Sequence, residues 1–355
     1  MNFKSVVLSQ LGDESFLKDF VSMPNRFRPS EYQAGLLAEE QTRRLVMWGF
    51  TQGSRFWLIR NLRDETIVRI SARVCPQQKD TGTIGFFEMN DKHPDIHHAL
   101  DFAMNQAEGW LRAQGVKSIV APIDLNTWFN YRFSTEGKHF FPRLSWEPTT
   151  PPTYHQSFKD MGYKDYAYFH TVFFPHIRLG SFCLGTGPMK KSYQRIHEQG
   201  FKLRPFDQEN FMTKEVPLFH EISHEAFSDS LMFEPIDLET FSSLYASAVK
   251  KYDFSPSSVL ISPDGDTAGF IFAFFDGDYL VIKSIAIRQK YQGMRLSSGM
   301  IFNAVKQAFA ANKKGTISAL VRTGLASEKI EKNVKKTMWF SWSHYYSLLK
   351  KDLNP

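Results

Sequence analysis

The segment of this chain whose residue types and spacing could do chemistry runs Ile282-Lys-Ser-Ile-Ala-Ile-Arg-Gln-Lys-Tyr-Gln-Gly-Met-Arg-Leu-Ser-Ser-Gly299. An apolar strand ends, a short loop turns at Gly293, and a helix begins near Arg295 to Ser297. Backbone N–H groups at such a junction lack intrahelical partners, and the aligned peptide dipoles add positive potential. Together they suit phosphate oxygens. Ser297 and Ser298 bring hydroxyl donors. Arg288, Lys290 and Arg295 bring charge that fits a ligand with several phosphates.

Two other clusters carry chemical side chains. His220-Glu221-Ile222-Ser223-His224-Glu225 matches the His-Glu-x-x-His spacing of a zinc hydrolase. No third ligand follows at a recognisable distance, although Glu239 and Glu234 lie downstream. The alternative is one polar face of a helix. Asn126, Thr127, Trp128, Asn130, Tyr131 and Arg132 follow an apolar strand and read either as a ligand cluster or as an ordinary turn. Cys75 and Cys183 form no CxxC pair, so they supply neither a disulfide framework nor a zinc knot.

The elements that must position these residues recur twice. Residues 55–60, 65–74 and 83–89 read as strands. Ile96, Ala99, Leu100, Ala103, Ala107, Trp110 and Leu111 then recur at helical spacing, Gly115 stops the helix, and a strand covers 116–123. The second half repeats this with strands at 258–262, 268–275 and 279–287. A helix follows through Leu296, Met300, Ala304 and Ala308 to Gly315, and then a strand at 316–321. Each half therefore predicts antiparallel strands, a helix, and a strand parallel to the one before the helix. The fold class is α+β with mixed sheets, not a doubly wound nucleotide fold. The loop Gly180 to Pro188 divides the chain into 1–180 and 181–355.

Composition bounds the remaining possibilities. The 355 residues suffice for two cores, with 42% hydrophobic and 23% charged residues. The formal net charge of +6 fits an anionic ligand, and no dense basic run points to nucleic acid. No apolar stretch is long enough to span a membrane and no leader pattern opens the chain, so a cytoplasmic location is expected. Phenylalanine is abundant, with 33 copies spread over both halves. Large aromatic cores explain this most simply; a pocket for an apolar group is the other reading.

Strand, then Tyr291-Gln292-Gly293-x-x-Leu296-Ser297, then an amphipathic helix resembles the acyl-CoA signature of the GNAT superfamily of N-acetyltransferases. That pattern is Gln/Arg-x-x-Gly-x-Gly/Ala. Gln292 matches its first position, while Arg295 stands at the second glycine and Ser297 at the last small position. Residues 201–355 follow the family's element order. Residues 40–175 echo it through Ile119 to Trp128 and Phe158 to Tyr163. Residues 90–98 hold no glycine where a phosphate loop should be, so the first half resembles a degenerate GNAT unit.

The resemblance implies an N-acyltransferase using acetyl-CoA or another acyl-CoA, with a small-molecule amine or amino acid as acceptor. It implies cofactor binding at Ile285, Ala286 and Ile287 along the strand and at Gln292, Gly293, Met294, Arg295, Leu296, Ser297 and Ser298 on the phosphates. Thr323 stands where the family often has Asn. Glu234 is the candidate base and Tyr345 the candidate acid, since the family's tyrosine position falls near Ile330. Both halves are expected to open a V-shaped gap between the strands flanking their main helix. A long-chain N-acyl amino acid synthase and a non-catalytic tandem GNAT scaffold are the alternatives.

Overall fold

A computed structural model describes residues 3–33, 35–135, 146–147, 149–178, 183, 185–246, 249–336 and 341–353, with the backbone alone at 326–327. The chain forms two compact units. The first comprises Met1–Tyr168 with Tyr345–Pro355, and the second Phe169–His344. The boundary expected at 180/181 lies outside the described residues.

In the first unit, the strands Phe3–Val7, Arg55–Asn61, Thr66–Val74 and Thr81–Met89 pair antiparallel in that order. Thr81–Met89 pairs parallel with Ser118–Ala121 through Thr81 to Thr83. The helix Ile96–Ala113 makes the crossover such a pair needs. Its Ala99, Ala103, Ala107 and Leu111 are fully buried, as their spacing predicts. Ser118–Ala121 pairs on its other side with the C-terminal strand Trp342–Asp352, through Leu349 to Asp352. The opposite face is an aromatic layer of Phe16, Phe20, Phe56 and Phe86. Phe16 and Phe20 come from the helix Glu14–Phe27, whose N-terminus is capped by the Asp13 carboxylate on the Phe16 N–H at 3.0 Å.

The second unit repeats the arrangement. Its strands lie in the order Phe169–Phe174, Gly315–Arg322, Tyr279–Ile287, Thr267–Asp276, Ser258–Ile261 and Lys202–Pro205. Tyr279–Ile287 and Gly315–Arg322 form the parallel pair, joined by the motif helix Leu296–Ala310. Leu296, Met300, Ala304 and Ala308 pack with Ile271, Ala273, Leu280 and Ile282 in one buried cluster. On the other face Phe270 and Phe272 meet Phe206, Phe211, Phe219, Tyr245 and Phe254, with Phe219 and Phe270 stacked at 4.2 Å. Much of the phenylalanine content is thus ring-on-ring core packing. Among the described residues, no helix is long and apolar enough to cross a membrane.

Candidate functional site

The candidate site is the place where the parallel strands of the second unit part. Their ladder runs from Tyr279↔Gly315 to Ile282↔Ser318 and stops there. On the other edge, the register with Thr267–Asp276 shifts so that Lys283 is left over, a β-bulge. The paired register with Gly315–Arg322 does not continue through Ser284–Ile287. Ser284, Ile285 and Ile287 are partly exposed, whereas Ala286 is buried. The strand therefore runs past the end of its parallel ladder just before the loop.

The loop is built to turn sharply. Arg288 is held within the protein: its Nε donates to the Thr267 carbonyl at 2.8 Å, and its guanidinium meets Glu225 and Glu221 at 2.5 Å each. The expectation that Arg288 serves phosphates is corrected by these bonds. Tyr291 anchors the loop from below, buried and edge-on to Phe201 at 5.7 Å. Gln292 Nε2 donates to the Ile287 carbonyl at 3.1 Å and ties the loop to the strand end. Gly293 takes φ +81°, and a side chain there would point into open space. Arg295 takes φ 62° at the N-cap and gives the helix no side-chain cap. The first-turn N–H groups of Leu296, Ser297 and Ser298 therefore have no capping side chain. Among the described residues Arg295 itself makes no ion pair and is exposed. Lys290 lies over the Tyr291 ring and 3.8 Å from Asp266. Gly299 lets the helix Gly187–Glu198 approach: a Cβ there would meet Ser192 O at 2.9 Å.

Gln292, Gly293, Met294, Arg295, Leu296, Ser297 and Ser298 thus fall on one loop-to-helix turn next to Ile285 to Ile287. Thr323 follows the parallel strand Gly315–Arg322 on its unpaired side. Glu234 is buried, but it lies in the loop between the helices Val216–Ala226 and Leu238–Tyr245, not on a helix as expected. Tyr345 belongs to the first unit, where its carbonyl accepts the Thr135 N–H. Ile330 sits on the helix Ala326–Lys335.

The zinc-like string is otherwise engaged. His220 Nε2 meets the Ile236 carbonyl at 2.7 Å, and His224 Nδ1 meets the His220 carbonyl at 2.7 Å. His224 Nε2 accepts the Ile236 N–H at 3.0 Å, and burial lowers the pKa of its ring. Glu221 and Glu225 hold Arg288. Among the described residues no group of three His, Cys, Asp or Glu side chains is placed to hold a metal ion. The string is a polar helix face that pins the following loop.

The corresponding place in the first unit is closed. Its strands stay joined past the ladder, with the Ile123 N–H on the Ile84 carbonyl at 2.8 Å. Gly85 permits this contact, since a Cβ there would lie 2.0 Å from Ile123 O. Phe86, at φ 46° in the bulge, donates its N–H to the Asp124 carboxylate. Burial pushes Asp124 up to about 6, against the pull of the Phe86 N–H, Arg69 and Arg28. Behind it Glu88 is fully buried, holds Arg28 at 2.9 Å and accepts the Tyr154 hydroxyl. The gap expected in both halves is therefore bridged in the first by its own main chain and a carboxylate. Sequence reading missed Asp124, whose only signal was an acidic residue directly after an apolar strand.

No family model matches the sequence, and no curated protein sequence matches it. Solved structures do match. A GCN5-related N-acetyltransferase from Sphaerobacter thermophilus aligns over 99% of this chain and 96% of its own, with TM-score 0.51 and 11% identity. A tandem GNAT protein from the clavulanic acid biosynthesis pathway aligns over 99% of both chains, with TM-score 0.51 and 10% identity. A probable N-acyltransferase from Enterococcus faecalis V583 gives TM-score 0.56 at 7% identity, over 99% of this chain and 73% of its own. At such identities the likeness is one of fold: α+β, two GNAT-like mixed sheets flanked by helices.

Proposed function

We propose, with the tandem GNAT fold as the premise, that this chain is an N-acyltransferase. It would move an acyl group from acetyl-CoA or another acyl-CoA to the amine of a small molecule or amino acid. One observation carries this reading. The second unit leaves a strand edge and an uncapped helix N-terminus side by side, whereas the first unit seals the same place with Asp124.

The backbone N–H groups of the loop and first helical turn, from Gly293 to Ser298, would hold the pyrophosphate, because uncapped donors and the helix dipole both favour anions. Arg295, exposed and without an ion pair among the described residues, would add a guanidinium to the same phosphates. Backbone N–H groups of Ser284 to Ile287 would take the thioester carbonyl and the pantetheine amides. The amine must be neutral to attack, so a carboxylate or water chain removes its proton. The buried Glu234 is the candidate we retain for that role. The long-chain reading drew on the phenylalanine count, and many of those rings in the second unit pack on one another.

The test is thiol release from acetyl-CoA and from a long-chain acyl-CoA, each against a panel of amines and amino acids. Turnover with at least one amine is expected. Binding of CoA without turnover against any amine would favour the scaffold reading instead.

A further inference from the structure

We propose that Thr323, His170 and Glu331 form a proton relay serving the departing thiolate; the inference rests on the acyltransferase reading. Thr323 directly follows the strand Gly315–Arg322, on the side where its ladder with Tyr279–Ile287 has already stopped. The strand is locally distorted there. Leu320 takes φ 54°, its N–H turns to the Thr171 hydroxyl at 3.0 Å, and the register with Phe169–Phe174 shifts between Ser318 and Val321. After the shift His170 pairs with Val321.

The side chains form a line from the surface inward. Thr323 is exposed, and its Oγ1 lies 3.5 Å from His170 Nδ1. His170 Nε2 lies 2.6 Å from Glu331 Oε2, with both side chains under a tenth exposed at 7% and 6%. Glu331 Oε1 is buried with no hydrogen-bond partner among the described residues. A histidine–carboxylate pair is a poor structural tie at such a place. An apolar pair of similar volume would stabilise the fold equally or better, and an unpartnered buried carboxylate oxygen is destabilising. Glu331 also fixes the tautomer: with Nε2–H on the carboxylate, Nδ1 is turned to Thr323. Around the imidazole stand Glu331 and Glu328 from the helix Ala326–Lys335 and Thr323 from the strand end. Glu328 is engaged by Lys332 at 3.1 Å and by the Gly324 N–H at 3.0 Å.

The amine nitrogen bonds to the thioester carbon, and the C–S bond breaks. Sulfur takes the Thr323 hydroxyl proton. The hydroxyl is refilled by the proton passed from His170 Nδ1, while the Nε2–H stays on Glu331. The proton lost by the attacking nitrogen recharges His170 through solvent, and the products are the amide and CoA thiol. Thr323 touches the leaving group; His170 and Glu331 act through it.

The experiment follows thiol release from acetyl-CoA with hydroxylamine as acceptor, beside calorimetric titration with acetyl-CoA. A free thiol has a pKa of about 8.5, so an acid helps without being obligatory, and Thr323→Val should lower kcat roughly tenfold. KM for acetyl-CoA should stay within about twofold, and Thr323→Ser should restore the rate. His170→Asn and Glu331→Gln should lower kcat by a similar factor, again with KM for acetyl-CoA within about twofold. Thr323 is exposed, so its variants decide the matter even if the buried substitutions unfold the protein. Wild-type kcat in Thr323→Val, with acetyl-CoA still bound, would overturn the relay alone. So would binding with no thiol release by the wild type. Failure of the wild type to bind acetyl-CoA would overturn the acyltransferase reading and the relay together.

Discussion

At the scale of single residues, Arg295 carries two opposed effects. A left-handed φ of 62° costs a non-glycine residue roughly 1 kcal/mol, so Arg295→Gly should raise the stability of the protein by about that amount. The same change removes a guanidinium beside the proposed phosphate turn and should weaken CoA binding about tenfold, or about 1.4 kcal/mol. Added salt should narrow the difference. Calorimetry that found tighter binding in Arg295→Gly would show the side chain to be a plug. Asp124 gives a pH test in the first unit. Its folded pKa, about 6, stands above the ordinary 3.8, so its stabilising contribution is complete below about pH 4 and is lost as pH rises through 6. Denaturant unfolding of wild type and Asp124→Asn should show the wild type losing roughly 2 kcal/mol relative to the variant between pH 4 and 7. A constant difference would contradict the burial of that carboxylate. The glycine turn and the departure at Arg295 were legible in the sequence because they are local. The capture of Arg288 by Glu221 and Glu225, and the pairing of His170 with Glu331, were not. Their partners lie 63, 67 and 161 residues away and share no periodic signal.

At the scale of elements, the repeated strand–helix–strand order was readable because both units are amphipathic with clean periods. Ala99, Ala103 and Ala107, and Met300, Ala304 and Ala308, all face a core. The sequence could not show whether a parallel pair stays joined or parts. That depends on Gly85 admitting Ile123 O and on Asp124 taking the Phe86 N–H. The packing of the motif helix against Gly187–Glu198 depends on Gly299, where a Cβ would lie 2.5 Å from Ile196 Cδ1 and 2.9 Å from a backbone oxygen. Gly299→Val should destabilise the protein by about 1–3 kcal/mol through overpacking, read by thermal unfolding. It should also weaken CoA binding by displacing the helix N-terminus. An unchanged melting temperature would show that the two helices separate without cost.

At the scale of the whole molecule, the chain leaves the first unit after Tyr168 and returns to it at Tyr345. Sequence reading gave the C-terminal strand to the second half, since chain order is the only cue a sequence offers. Leu349 and Leu353 instead lie in the first unit's core, and Leu349 to Asp352 pair with Ser118 to Ala121. A chain ending at His344 should lose amide protection along Ser118–Ala121, seen by hydrogen exchange, while Tyr279–Ile282 stays protected. Protection retained at Ser118–Ala121 would contradict the pairing. The central claim is that one of the two similar units keeps the acyl-CoA site. Isothermal titration of the full chain with acetyl-CoA tests it most directly, in wild type and in Gly293→Trp, whose side chain enters open space at a positive φ. The account predicts a single binding event per wild-type chain and none in the variant; two events, or unchanged affinity in Gly293→Trp, would contradict it.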